Sequence, residues 1–372
     1  MAPDAQVPLR VYGSKVSYFT GKLEAYLRYK GIAYQRIALS PDGVARAAGK
    51  GRLAAQIPAL QLPDGRWITD TTPVIAWLEG QYPEPRVIPA DPLQAFASVL
   101  LEDYADEWLW RPAMHYRWSY APDRRLLSKL IVEELLAGQF VPGVIARRVV
   151  EFRQFHYFVR RDGVNARSRE HVEGSYLHAL RWLEGVLAKR PFLLGERPTL
   201  ADFGFMGPMF RHFSHDPTPA DIMRERAPGV WAWVSRCWNA STLVPGGALV
   251  AGVPWDWEPL LAEIGATHLE HLHANARAWR EGRRRFDVEI QGVPYRQLPT
   301  SQYRVWCLER LRAHFEALPE AHQSEARELL EGQGCWEPLW RESELASGYD
   351  PAGEVPFIAG RPVFTHQPLL RR

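Results

Sequence analysis

Hydroxyl side chains gather between Tyr12 and Thr20, a segment that reads Tyr-Gly-Ser-Lys-Val-Ser-Tyr-Phe-Thr and contains no cysteine. A predicted helix starts there, and the free N–H groups of a helix start favour negative charge. A hydroxyl could therefore donate a hydrogen bond to an anionic ligand atom, whereas exchange chemistry through a thiol of this segment is excluded. Ser17 is the first candidate and Tyr18 the second. Tyr12 and Ser14 are further alternatives, and an ordinary helix-starting serine is the competing interpretation.

A second group of candidates lies in the segment 56–78, where a hairpin pattern runs into a helix start. Alternating apolar residues flank Asp64-Gly65, which is typical of a β-hairpin turn. Asp70-Thr71 then offers capping side chains, and Pro73 suits the first helical turn. The pair Ile57-Pro58 precedes the hairpin. We therefore expect a small anion-binding pocket between the backbone beside Ile57 and the helix start.

Three further side chains, Tyr104, Trp108 and His115, are candidates for the wall of a substrate pocket. They are spaced by about four and seven residues, so on a helix they share one face. The same spacing also fits an ordinary buried core, and this alternative stays open.

The bulk properties exclude several classes of function. The content of apolar residues (46%) and charged residues (24%) is typical of a globular protein, and a net charge of only +2 gives no global field for nucleic acid. His268, His271 and His273 do not share one helical face, so we expect no metal site. No long apolar run predicts a membrane span, and three widely spaced cysteines indicate a reducing compartment, so we expect a cytoplasmic protein.

The predicted secondary structure that positions these residues changes along the chain from mixed strands and helices to helices alone. The pattern predicts a strand at Leu9–Tyr12, a helix over about 20–30 and a strand at 34–38, followed by helix, hairpin and helix up to residue 82. A proline-rich linker follows. Helical periodicity then continues to about residue 243. The predicted helices there are Phe96–Trp110, Arg124–Leu136, Phe140–Phe158, Ala166–Lys189 and Leu200–Phe213.

In the order and spacing of these motifs the sequence resembles the glutathione transferase superfamily. The resemblance implies an α/β thioredoxin-like N-terminal domain (residues 7–83) followed by an all-α domain (91–248). In this family an Ile/Val-Pro pair carries a cis proline, here Ile57-Pro58, and an acid–hydroxyl pair, here Asp70-Thr71, binds the γ-glutamyl end of glutathione. Thr71 departs from the usual serine but keeps the hydroxyl. A second family motif is the capping box Thr199–Asp202, which has a structural role.

The resemblance further implies a glutathione transferase that activates the thiol of glutathione, its co-substrate, for attack on a small hydrophobic electrophile. Ser17 would then donate to the sulfur, with Tyr18 in reserve, while Ile57, Pro58, Asp70 and Thr71 bind glutathione. Members of this family commonly form homodimers, so the resemblance also implies a homodimer. Two alternatives stay open: a non-catalytic binding or interaction protein on the same fold, and an isomerase of the prostaglandin E synthase type 2 kind, against which the absence of cysteine at Ser17 and Thr20 argues.

Residues 249–372 lie outside the resemblance. The sequence predicts a mainly helical C-terminal extension with helices at Leu260–Arg285, Ser301–Leu318 and Ser324–Cys335. Its aromatic residues carry too much apolar surface to remain solvated. We therefore expect this extension to pack on the helical domain and to border the substrate cleft.

Overall fold

A four-stranded mixed sheet forms the N-terminal domain. In the computed structural model, which describes residues 7–38, 57–137, 142–241, 247–342 and 344–357, the strands are β1 (Leu9–Tyr12), β2 (Tyr34–Ile37), β3 (Ala59–Gln61) and β4 (Trp67–Thr69). Their order is β2-β1-β3-β4, with β1 parallel to β2 and the other pairs antiparallel. This is the thioredoxin-like arrangement that the sequence predicted. The second predicted helix falls between residues 39 and 56, outside the described residues.

Two helices of this domain begin at the candidate residues. Helix α1 (Tyr18–Tyr29) starts after Ser17, whose Oγ accepts a hydrogen bond from the Thr20 N–H at 3.3 Å, and it ends before Gly31, whose φ of 67° suits glycine. Helix α2 (Thr71–Gln81) follows β4 after the single residue Asp70. The Ile57-Pro58 peptide bond is cis, as the resemblance implied.

The second domain is entirely helical, as predicted, but its boundaries differ from the predicted ones in two ways. The predicted helix Phe96–Trp110 is an α-helix that widens into a π-helical turn (Tyr104–Trp108) before a new helix begins, and three helices were missed. The α-helices are α3 (Pro92–Asp103), α4 (Trp110–Ser119), α5 (Ala121–Leu135), α6 (Gly143–Gln154), α7 (Arg169–Leu187), α8 (Leu200–Pro208), α9 (Pro217–Arg226) and α10 (Pro228–Asn239). The missed helices are α4, α9 and α10.

The capping box at the start of α8 forms as the sequence predicted. Asp202 accepts hydrogen bonds from the Thr199 N–H at 2.9 Å and the Thr199 hydroxyl at 3.0 Å. It also accepts from the Leu193 N–H and from the Trp233 indole. Because Asp202 is fully buried, these donors replace water for its carboxylate, and they fix α8 in the centre of the helical domain.

The C-terminal extension is mainly helical, but it contains a hairpin that the sequence analysis missed. The predicted helix Leu260–Arg285 ends earlier, and β5 begins at Arg285. The turn Gln291-Gly292 has positive φ at both residues, and since Gln is a weaker signal than Asn or Asp, the pattern was not recognised. The elements are α11 (Glu258–Ile264), α12 (Glu270–Arg280), β5 (Arg285–Ile290), β6 (Val293–Pro299), α13 (Gln302–Glu316), α14 (Glu320–Gly332) and α15 (Trp336–Trp340).

The extension contacts the helical domain through aromatic and charged side chains. The Phe315 ring of α13 lies 5.9 Å from the Phe96 ring of α3. His268 Nε2 lies 2.6 Å from the Asp103 carboxylate at the end of α3. The Arg304 guanidinium donates to Glu107 at 3.1 Å. These contacts involve residues with little exposure, so both sides of the interface depend on each other for burial.

The last described segment, residues 344–357, which we call the C-terminal strap, reaches the N-terminal domain. The carbonyl of Pro356 accepts a hydrogen bond from the Thr69 N–H of the edge strand β4 at 3.1 Å. The Phe357 ring packs edge-on against Trp77 of α2 at 5.7 Å. The extension thus contacts both domains, while the exact division of the chain at residues 83, 91 and 248 remains our proposal.

We predict that a chain ending at Ala248 is less stable and less soluble than the full chain. Truncation exposes Phe96 and leaves Asp103 and Glu107 without their partners in the extension. The melting temperature, followed by circular dichroism, should fall by at least about 5 °C, and light scattering should show aggregates. A truncated chain that remains monodisperse and melts like the full one would contradict this prediction.

Candidate functional site

A cleft of about 400 Å³ lies between the two domains, and we call it the central cleft. It is bordered by the turn before α1, by the start of α2, by the π-helical turn and by the hairpin of α5 and α6. The extension contributes Tyr303 from the first turn of α13. Six predicted site residues line this cleft together: Ser17, Tyr18, Ile57, Pro58, Asp70 and Thr71.

Hydrogen bonding distinguishes the hydroxyl groups around the turn before α1. The Ser14 hydroxyl donates to Glu134 of α5 at 2.6 Å, and the Tyr12 hydroxyl faces Gln61 at 3.5 Å. Tyr18 is 1% exposed and donates to the backbone carbonyl of Ala105. Ser17 accepts a bond from the helix, but within the described part of the chain its own O–H donates to no acceptor. A donor is therefore available to a ligand at Ser17 and is committed at the other three.

Buried arginines hold the turn in place. Arg117 donates to the Val16 carbonyl at 2.7 Å and to Asp216 at 2.7 Å, and Arg211 donates to the Ser14 carbonyl at 3.2 Å. Because these guanidinium groups come from the helical domain, the position of Ser17 depends on the packing of the two domains. Aromatic contacts around the turn do not by themselves determine the position of Ser17.

Asp70 has an unusual backbone and a buried carboxylate. Its φ is 72°, in the left-handed region that residues other than glycine rarely adopt. The sequence predicted that it would cap α2, but its side chain makes no capping hydrogen bond, and its Oδ2 atom has no hydrogen-bond partner among the described residues. Burial raises the pKa of Asp70 to about 6, against the attraction of Arg310 and a hydrogen bond from Tyr303. A carboxylate with one oxygen that has no partner among the described residues thus lines the cleft, beside the N-terminus of α2 at Thr71.

A buried charge cluster connects the start of α2 with the helical domain. The Lys22 ammonium of α1 contacts Glu102 at 2.7 Å, Asp106 at 2.5 Å and the Thr72 hydroxyl at 3.3 Å. Burial lowers the pKa of Lys22, but Asp106 and Glu102 outweigh it, so the ammonium stays charged. Two carboxylates, those of Glu102 and Asp106, pair with this one ammonium group. Burial raises the pKa of Asp106 and repulsion by Glu102 raises it further, while the attraction of Lys22 opposes the shift.

Aromatic side chains form one wall of the cleft. The Phe19 and Trp110 rings are stacked with centroids 5.6 Å apart, and Phe158 lies edge-on to Trp110 at 5.5 Å. The hairpin of α5 and α6, with the turn that follows it, adds Ile131 and Tyr157. This wall suits a flat apolar ligand. Trp110 and Phe158 lie in predicted helices, but their common orientation follows from packing that the sequence pattern does not contain.

The residues predicted for that wall lie elsewhere, in the core. Tyr104 is fully buried, and the Trp108 indole donates to the Ser175 hydroxyl of α7 at 3.3 Å. His115 Nε2 lies 2.8 Å from Glu173. None of the three is among the residues that line the central cleft. The π-helical turn after Asp103 changes the helical phase, so the face chosen by four-residue spacing points into the core and Asp106, Glu107 and Trp110 reach the cleft instead.

The three histidines considered as metal ligands, His268, His271 and His273, are also buried. His268 pairs with Asp103, and burial lowers the pKa of His271 well below its ordinary value, so that its imidazole is neutral. Among the described residues, no group of three or more histidine, cysteine, aspartate or glutamate side chains is arranged to hold a metal ion. Within the same residues, no helix is long and apolar enough to cross a membrane.

Comparison with known proteins identifies the family. A family model for the glutathione S-transferase N-terminal domain matches residues 11–86, and a model for the glutathione S-transferase C-terminal domain matches residues 166–236. The chain belongs to the glutathione transferase superfamily. Residues 87–165, which include the hairpin of α5 and α6, lie outside both matches, as do the residues after 236.

Individual relatives are distant. A probable glutathione S-transferase of Zea mays is 28% identical over 115 residues, which cover 28% of this chain and 48% of that protein, so the match spans about half of its length. The beta-etherase LigF from Sphingobium sp. strain SYK-6 is 21% identical, with 62% of this chain and 94% of that chain covered and a TM-score of 0.42. A glutathione S-transferase from Methylobacterium radiotolerans, solved with glutathione sulfonate, is 19% identical, with 66% and 98% covered and a TM-score of 0.38.

We predict that Lys22→Met lowers the free energy of unfolding by about 3–5 kcal/mol, because it leaves two carboxylates buried without a cation. Urea unfolding measures the change, and Lys129→Met on the exposed face of α5 is the control, expected to change stability by less than about 0.5 kcal/mol. The loss should be larger at pH 8 than at pH 5.5, because a carboxylate with a raised pKa takes up a proton in acid and relieves the repulsion. Equal losses for the two variants would contradict the role of the cluster.

Proposed function

We propose that the protein binds glutathione in the central cleft and activates its thiol for attack on a small hydrophobic electrophile. The observation that carries this proposal is the presence in one cleft of two groups with free hydrogen-bonding capacity, the Ser17 hydroxyl donor and the Oδ2 atom of Asp70. Family membership supports glutathione as the co-substrate. No step of this chemistry requires a metal.

The binding mode follows from charge and hydrogen-bonding capacity. The α-ammonium of the γ-glutamyl group would pair with Asp70, and its carboxylate would meet the Thr71 hydroxyl and the positive end of α2. The cysteinyl backbone would lie beside Ile57 and Pro58, which brings the sulfur toward Ser17. Both helix starts, those of α1 and α2, border the cleft and favour an anionic ligand.

Thiol activation is the chemical task of Ser17 in this proposal. A free thiol with a pKa of about 8.5 is only a few per cent thiolate at pH 7. A hydrogen bond from the Ser17 hydroxyl together with the start of α1 would favour the thiolate. The thiolate sulfur then forms a bond to an electrophilic carbon while the leaving group departs with the electron pair. The stacked wall of Phe19 and Trp110 would hold the electrophile.

A second candidate function is non-catalytic binding on the same fold. Tyr303 from the extension lines the cleft next to Asp70, and this observation favours a modified ligand site. Retention on glutathione-agarose followed by an assay with an aryl halide electrophile separates the two functions, because only the enzyme releases halide. Assembly as a homodimer and location in the cytoplasm are further proposals that family membership and the three free, buried cysteines support.

We predict that Asp70→Ala weakens glutathione binding by about 1.5–3 kcal/mol, the range for a charge-assisted hydrogen bond. Isothermal titration calorimetry at pH 7.5 measures the change. Asp64→Ala is the matched control, because Asp64 lies on the same hairpin but is exposed and pairs with Arg66. Absence of glutathione binding by the native chain at millimolar concentration would exclude the proposed function.

We predict that Ser17→Ala raises the pKa of the bound glutathione thiol by about one unit while it leaves the binding constant nearly unchanged. Thiolate absorbance as a function of pH measures the shift. Tyr18→Phe serves as the comparison, and it should leave this pKa unchanged because the Tyr18 hydroxyl is committed to Ala105. A shift in the Tyr18 variant alone would transfer the role to that residue.

A further inference from the structure

Glu134 lies in the last turn of α5, where a carboxylate is unfavourable for the helix itself. The C=O groups at a helix C-terminus carry partial negative charge, and they repel an anion in the last turn. The neighbouring Glu133 is half exposed and pairs with Lys129 of the same helix at 3.8 Å. The side chain of Glu134 is only 6% exposed. A buried acid at this position needs compensating donors from another part of the chain.

The partners of Glu134 come from the N-terminal domain. Its Oε2 accepts a hydrogen bond from the Ser14 hydroxyl at 2.6 Å, and its Oε1 accepts from the Lys15 N–H at 3.4 Å. The Arg36 guanidinium of β2 lies 3.2 Å from the same Oε1, and Arg36 also donates to the Gly13 carbonyl at 3.4 Å. One carboxylate of α5 thus binds a hydroxyl, a backbone N–H and a cation of the other domain.

Ser14 connects this carboxylate with the start of α1. The Ser14 Oγ accepts a hydrogen bond from the Val16 N–H at 3.3 Å, and the Ser14 carbonyl accepts from the Ser17 N–H at 3.1 Å. The Ser14 hydroxyl has one proton, so its donation to Glu134 orients the Oγ atom that accepts from Val16. The direction of the Ser14 side chain and the path of the backbone up to Ser17 are therefore fixed together.

Two other side chains restrain the same turn in a different way. Arg117 and Arg211 contact its carbonyl groups, and both belong to the interior of the helical domain. Glu134 binds the side chain of Ser14 and comes from the hairpin of α5 and α6. Ser14, Ser17 and Glu134 line the central cleft together. This hairpin lies outside both family matches, so the resemblance assigns no role to Glu134.

We propose that Glu134 is a positioning residue for Ser17. By holding the Ser14 hydroxyl, it keeps the turn before α1 in the conformation that presents the Ser17 hydroxyl to the sulfur of glutathione. The part played by the sulfur rests on the proposed function, whereas the effect of Glu134 on the turn is a property of the ligand-free protein. The hairpin of α5 and α6 then has a second role besides forming the wall of the cleft, because its contact with the N-terminal domain contributes to activation of the thiol.

The first test measures hydrogen exchange of the Val16 and Ser17 amides by NMR in the ligand-free, ¹⁵N-labelled full chain. Glu134→Ala should increase both exchange rates about fivefold, the factor that corresponds to one ordinary hydrogen bond. Glu134→Gln keeps an oxygen acceptor for the Ser14 hydroxyl, so its rates should stay within about twofold of the native rates. Glu133→Ala in the same helical turn is the matched control and should change neither rate. Unchanged rates in Glu134→Ala overturn the inference.

Ser14→Ala tests the same contact from the other side. It removes the hydroxyl but leaves Glu134 paired with Arg36. The exchange rate at Ser17 should rise as it does in Glu134→Ala, and the double variant should add little, because each single variant breaks the same interaction. Additive increases would show that the two residues act separately and would refute the inference. Ser14→Ala alone decides the question if Glu134→Ala does not fold, since an unchanged rate at Ser17 would contradict the role of the contact.

The second test measures the pKa of the bound glutathione thiol from thiolate absorbance as a function of pH. Glu134→Ala should raise this pKa by about half a unit, less than Ser17→Ala, because the Ser17 hydroxyl is displaced and not removed. The dissociation constant should stay within about twofold, because Asp70 and Thr71 at the start of α2 would still bind the γ-glutamyl end.

The outcomes separate this inference from the proposed function. Weaker binding of glutathione to Glu134→Ala with an unchanged thiol pKa would indicate a merely structural role and would refute the inference. Absence of binding by the native chain would instead refute the proposed function. The exchange rates of the ligand-free chain would still decide whether Glu134 holds the turn before α1.

Discussion

The packing of the N-terminal domain against the helical domain depends on the buried ion cluster around Lys22. One ammonium group from α1 contacts two carboxylates from the helical domain and a hydroxyl at the start of α2. Loss of one partner would leave the remaining charged groups in a low-dielectric interior without compensation, at a cost of several kcal/mol. The cluster therefore fixes the starts of α1 and α2 relative to one another, and these two helix starts carry Ser17 and Asp70. The geometry of the cleft is a consequence of this electrostatic constraint.

The extension borders the central cleft through Tyr303 and contacts both domains. Its path passes from α10 across α3 and the π-helical turn, and it ends with the C-terminal strap on the edge strand β4. Pairing with the Thr69 N–H covers part of an edge that would otherwise present free backbone groups. Aromatic contacts among Tyr303, Trp306 and Tyr349 join the strap to α13. One continuous set of contacts thus connects the C-terminal strap with Tyr303 at the central cleft.

Hydrogen-bond capacity, more than residue type, separates the candidate groups in the cleft. The sequence offered four candidate hydroxyls near the start of α1, with Ser17 first. Three of them are committed to protein acceptors, and Ser17 is not. The same reasoning applies to acids. Asp202 is satisfied by four donors and is structural, whereas an oxygen of Asp70 has no partner among the described residues. A polar group in a cleft that has no hydrogen-bond partner in the folded protein can form a hydrogen bond or an ion pair with a ligand.

The sequence by itself determined the local elements and the family. Strand β1, the hairpin around Asp64-Gly65, the cis pair Ile57-Pro58 and the capping box at Thr199 follow from residues close together in the chain, because turn and cap preferences are local. Only the tertiary structure determined which residues that are distant in the chain come close together. The π-helical turn moved Tyr104 and Trp108 into the core and brought Trp110 to the cleft, a change of phase that helical spacing does not encode. The presence of Tyr303 and Asp70 in one cleft, although they are more than two hundred residues apart in the chain, depends on packing across the described part of the molecule, which no local pattern records.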